Sequence, residues 1–85
     1  MKKFRLSIYD TEHILLRDWL ISKRQALNLT QRQLAEKLQV VHSLIGKVEK
    51  GERRLDVIEF MTYCQALNTE PCEFYNLMSS ISSSS

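Results

Sequence analysis

The sequence predicts an all-α domain of five helices. Two Ser/Thr/Asp-x-x-Glu/Gln caps, a scarcity of Gly and Pro, and apolar residues three and four apart carry that prediction. Pro occurs once and Gly twice in 85 residues. Splitting so short a chain would leave pieces too small to hold a core, so one domain is expected.

Asp10 or Thr11 can cap a first helix running to about Leu27, with Glu12 in its first turn. Leu16, Leu20, Arg24 and Leu27 share one face. Leu15 and Trp19 point partly elsewhere, where they either cover a C-terminal helix or join a subunit contact. Asn28 tolerates the left-handed conformation that ends a helix. Thr30 and Gln33 form a capping box for a second helix, about Gln31 to Leu38, with Leu34, Ala35 and Leu38 as its buried stripe. After the turn Gln39-Val40-Val41, a third helix runs from about His42 to Lys50 and stops at Gly51. Asp56 and Glu59 box the start of a fourth, whose stripe reads Val57, Phe60, Met61, Cys64 and Leu67. Pro71 suits the first turn of a fifth, with Phe74, Leu77 and Met78 on its apolar face.

These elements place the domain at 11–78. Residues 1–10 form an N-terminal arm, in which Phe4 to Ile8 reads as a short strand or an extended segment. Residues 79–85, six serines and one isoleucine, read as a disordered tail.

Composition narrows the function. Hydrophobic residues at 44% and charged residues at 26% fit a soluble globular domain. No apolar run approaches a membrane span, and the N-terminus lacks the apolar centre of a secretory signal. Cys64 and Cys72 cannot make a disulfide framework, and His13 lies far from His42, so no metal site is expected. A cytoplasmic protein is expected. Cys64 reads as a small core residue, Cys72 as a core or helix-surface thiol, and Tyr9, Tyr63 and Tyr75 as packing residues. No nucleophile–base pair is evident, and so small a domain rarely holds both a core and a deep cleft. An enzyme, a cofactor and a small-molecule ligand are therefore not expected. The net charge of +2 hides an asymmetry: residues 23–54 sum to +5 and residues 55–85 to −4. A central basic segment suits either a phosphate-binding surface or a solvated helix face.

Two short helices joined by a three-residue turn describe a helix-turn-helix. The stretch LTQRQLAEKLQVVHSLIGKVEKG, residues 29–51, resembles the Cro/repressor-like (XRE-type) helix-turn-helix family. The resemblance rests on Leu29, Thr30, Gln31, Leu34, Ala35, Leu38, Val40, Ile45, Val48, Glu49 and Gly51, and extends over about residues 11–78. It implies a five-helix, lambda-repressor-like domain that binds double-stranded DNA, with residues 42–50 as the recognition helix. With Ile45 at the centre of the buried side, about 100° per residue puts Val41 and Val48 inward and Ser43, Lys47 and Lys50 outward. The resemblance implies base contacts from His42, Ser43 and Lys47. It implies a phosphate contact from Gln31 at the second helix N-terminus, with Thr30, Arg32, Lys50, Arg53 and Arg54 bracketing the backbone. Gly46, costly inside a helix, marks either close approach of DNA or drift at an exposed site. Arg24 and Glu49 are implied to pair across the first and third helices rather than to stand as surface charges.

Three positions depart from the family pattern. Gln39 replaces the turn glycine, Val41 cannot cap the third helix, and Leu44 replaces a commonly polar residue, on a flank where it can pack against the fourth helix. The function expected is a transcriptional regulator, with repression the expected sign, acting at the nucleoid as a homodimer on an inverted repeat. Trp19, Phe74, Leu77 and Met78 are candidates for the subunit contact. The alternative is a protein-binding adaptor or antitoxin-like partner that uses Leu15, Trp19, Leu44 and the C-terminal aromatic residues.

Overall fold

The computed structural model describes residues 11–83. The elements are α1 (Thr11–Ala26), α2 (Gln31–Leu38), α3 (His42–Lys50), α4 (Val57–Ala66) and α5 (Pro71–Ser83), with no strand among the described residues. The arm, including Tyr9, Asp10 and the strand reading of Phe4 to Ile8, lies outside them.

One local device ends four helices in succession. Asn28, Gln39, Gly51 and Asn68 all have positive φ, between 57° and 85°. At each, the next residue's N–H reaches back to close the last turn: Leu29 to Arg24 O, Val40 to Ala35 O, Glu52 to Lys47 O and Thr69 to Cys64 O. These bonds satisfy carbonyls that a helix end otherwise leaves orphaned. Gln39 bears the left-handed conformation (φ 58°) without glycine's freedom, as its place in the turn requires. Gly51 is favoured by its φ of 85°, while a Cβ there would displace only the flexible end of the Arg17 side chain.

Both capping boxes form. Thr30 Oγ1 accepts from Gln33 N at 3.0 Å while Thr30 N donates to Gln33 Oε1 at 2.9 Å. Asp56 and Glu59 repeat the pattern at 2.7 and 3.0 Å. The boxes start α2 and α4 at the predicted positions, left-handed stops end α2 and α3, and α3 starts without a side-chain cap.

The core joins Leu20 of α1, Leu34 and Ala35 of α2, Ile45 and Val48 of α3, Tyr63 and Cys64 of α4, and Leu67. Small Ala35 is buried on α2, which packs more extensively on α3 than any other two helices pack together. Cys64 is fully buried, and burial pushes its thiol up to about 11. The same effect, reinforced by the Glu49 carboxylate, raises the Tyr63 phenol above its ordinary value.

Several predicted positions are corrected. Val41 is 70% exposed rather than inward-facing. It sits at the N-cap of α3 with extended backbone, so helical angular spacing does not apply to it. Val57 and Met61 are also exposed, at 72% and 47%, and Tyr63 fills the core in their place. The core-facing residues of α4 are therefore half-buried Phe60 and buried Tyr63 and Cys64, followed by buried Leu67 at its C-cap. Tyr75 is exposed and does not pack. Helix α5 continues to Ser83, past the Met78 boundary of the expected disordered tail. Extending an existing helix needs only one hydrogen bond per added residue, so weak formers can follow a packed turn.

Trp19 covers the C-terminal helix. Its ring lies 5.3 Å from Phe74 and 6.4 Å from Phe60, centroid to centroid. Lys23 Nζ stands 5.6 Å above the Trp19 ring and bonds Glu73 Oε1 at 3.0 Å. These contacts dock α5 on α1 and α4.

Candidate nucleic-acid interface

Helix α3 is anchored by Ile45 and Val48, so its opposite side faces outward. His42, Ser43, Lys47 and Lys50 are exposed on that helix, and Gly46 is half-buried between them. The chemistry presented is a cationic ammonium, a hydroxyl, an imidazole and a second cation. These groups can donate to guanine O6 and N7, to other base edges and to phosphate. Val41 makes no side-chain cap bond. Leu44 takes the flank position predicted for it and lines an apolar cleft with Ile58, Thr62 and Tyr63 of α4.

The second helix meets this face at Gln31. Its amide nitrogen donates to Glu49 Oε1 at 2.9 Å. Glu49 also takes the Arg24 fork, from Nε at 2.7 Å and Nη2 at 3.1 Å, while Arg24 Nη1 donates to Leu29 O at 2.7 Å. With side-chain exposures of 12% and 6%, this is a partly desolvated bidentate pair. The Arg24–Glu49 contact was legible through the family pattern. The Gln31 link was not, because Gln31 and Glu49 carry separate roles in that pattern.

The basic residues divide. Arg32 and Lys50 are exposed, and Thr30 is exposed while its hydroxyl oxygen caps α2. Arg53 is engaged within the chain, donating to Glu59 at 2.6 and 3.1 Å and to Arg54 O at 2.6 Å. The Arg53 guanidinium, helped by the Asp56 N–H, holds the Glu59 carboxyl down to about 2. Arg54 is half-buried, and its Nη2 is buried without a hydrogen-bond partner among the described residues. Glu59 was read only as a capping residue. Its second role depends on where the α3–α4 loop returns Arg53.

Of the candidate subunit residues, Trp19 and Phe74 stack on each other, and Leu77 and Met78 are half-buried.

Nothing among the described residues demands glycine at position 46. An added Cβ would meet Gln31 Oε1 at 3.6 Å, an ordinary contact. Gly46→Ala is expected to raise stability by about 0.5–1 kcal/mol in urea unfolding. It is also expected to weaken DNA binding, since the methyl enters the space beside the exposed face of α3. Unchanged affinity would show that nothing approaches closely there.

The helix-turn-helix family model matches residues 20–74. The fold is similar to a solved XRE-family like protein from Pseudomonas syringae pv. tomato str. DC3000. The two are 36% identical with a TM-score of 0.80, over 87% of this chain and 90% of that one. No curated protein matches the chain. Five helices with α2 and α3 paired, an outward polar face on α3, and these two similarities agree: the chain belongs to the XRE-type helix-turn-helix family of DNA-binding transcription regulators.

Proposed function

We propose that the protein is a sequence-specific repressor that binds an inverted-repeat operator as a homodimer. The observation that carries this reading is the outward face of α3, where His42, Ser43 and Lys47 stand exposed on a helix locked from behind by Ile45 and Val48. In this reading α3 enters the major groove, and those three side chains meet base edges. Gln31, Thr30, Arg32, Lys50 and Arg54 contact the phosphate backbone, which passes close to Gly46. Arg53 joins them only by exchanging Glu59 for phosphate. One such module buries about 600–1,000 Å² on DNA, so two copies supply the specificity, their recognition helices about 34 Å apart. Leu77 and Met78, beside the Trp19–Phe74 stack, form the proposed subunit contact.

Selection of binders from a random duplex pool tests this. The wild type is expected to enrich an inverted repeat. Lys47→Ala is expected to relax preference at one base pair of each half-site, at a cost of about 1–3 kcal/mol. Absence of enrichment at low and moderate salt would sink the reading.

A second reading, a protein-binding partner, is favoured by the exposure of Val41, Val57, Ile58 and Tyr75, each near 70%. Trp19 contributes less to it than expected, being packed against Phe60 and Phe74. Steep loss of DNA affinity with salt favours the first reading, since each neutralised phosphate steepens the log–log slope by about 0.9.

A further inference from the structure

The Glu49 carboxylate serves three helices at once. Its Oε2 takes Arg24 Nε of α1, and its Oε1 takes both Arg24 Nη2 and the Gln31 amide of α2. A carboxylate can only accept, so the end of the Gln31 amide turned toward it must be the NH2 group. The reverse orientation would set the amide oxygen against an anion whose side chain is only 6% exposed. Arg24 removes the carboxylate's own freedom by holding both of its oxygens. The amide oxygen of Gln31 then lies toward Gly46, 3.6 Å from where a Cβ would stand. The second amide N–H has no acceptor among the described residues.

We propose that Glu49 is the positioning residue for Gln31. By fixing the amide's orientation before DNA arrives, it aims the remaining N–H at a phosphate, with Arg24 as the brace. The ion pair thereby sets DNA affinity as well as holding α1 to α3. The inference rests on the reading of Gln31 as a backbone contact. The physical gain is preorganisation: a long side chain already held in its bound rotamer loses less freedom on binding.

The test is a double-mutant cycle on the full chain, using the duplex selected by the wild type at temperatures where circular dichroism shows every variant folded. Gln31→Ala is expected to weaken binding about ten- to a hundredfold, the worth of one hydrogen bond to a charged group. Glu49→Gln leaves one neutral acceptor oxygen for the three donors that the carboxylate takes, so the Gln31 amide loses its charged acceptor whichever way the new amide turns. The substitution is expected to cost a similar factor, and the double variant no more than either single one. Side-chain amide NMR of the free protein supplies a readout that mere loosening does not mimic: the Gln31 NH2 pair, split by the carboxylate, shifts in Glu49→Gln. Arg24→Lys keeps the charge but loosens the carboxylate. It serves if Glu49→Gln is not fully folded, and should weaken binding only when Gln31 is present. Additive losses, or wild-type affinity in a folded Glu49→Gln, overturn the proposal. Wild-type affinity in Gln31→Ala removes the phosphate contact beneath it while leaving DNA binding intact. Failure of the wild type to bind any duplex overturns the proposed function itself.

Discussion

Glu49→Ala is expected to lower folding stability by about 3–5 kcal/mol, the range for removing one partner of a buried ion pair. The Arg24 guanidinium would keep only Leu29 O, and the Gln31 amide would lose its acceptor. The magnitude follows from burial. The Lys23–Glu73 pair, with side chains 33% and 45% exposed, is of the solvated kind worth about 0–1 kcal/mol. The Arg24–Glu49 side chains are 12% and 6% exposed, so an abandoned partner cannot be rehydrated without opening the α1–α3 contact. Urea unfolding of Glu49→Ala beside Glu73→Ala measures the contrast. Equal losses would place both pairs in the solvated class. A domain of this size has only about 5–15 kcal/mol in total, so the Glu49 variant should also unfold at a markedly lower temperature.

Ile45→Ala should cost about 2–5 kcal/mol, because it deletes three carbons from a site with no accessible surface. Ile45 packs in one cluster with Leu20, Leu34 and Tyr63, so the cavity would open beneath α3 and not at the rim. Thermal unfolding should show a drop of at least roughly 10 °C, since about 1 kcal/mol moves a domain of this size by 4–8 °C. Val41→Ala is the matched control. Helical spacing gave Val41 and Ile45 the same inward role, yet Val41 is 70% exposed and its truncation should stay within about 0.5 kcal/mol. A large loss at Val41 with a small one at Ile45 would contradict the packing of α3.

The capped starts of α2 and α4 and the left-handed stops were legible because each is decided over three to five residues. Thr30 with Gln33, Asp56 with Glu59, Asn28 and Gly51 satisfy helix ends through neighbours in sequence, and folding changes none of those partners. The outward face of α3 was legible for the same reason, once Ile45 gave the buried side. The sequence by itself therefore determined the helix order, the two capped starts, the stops and the residues presented at the candidate interface. Tertiary structure decided which of several apolar residues each helix buries. Val57 and Met61 lost the core to Tyr63 because α4 must meet α2 on one side and the Trp19–Phe74 stack on another. It also decided the partners of the polar groups. Gln31 and Glu49 are 18 residues apart, and Arg24 and Glu49 are 25 apart. Arg53 finds Glu59 only because the α3–α4 loop returns it to the start of α4. Periodicity orients a side chain about its own helix axis. Which neighbour then removes it from water depends on how the helices pack, and that is settled only when the chain closes on itself.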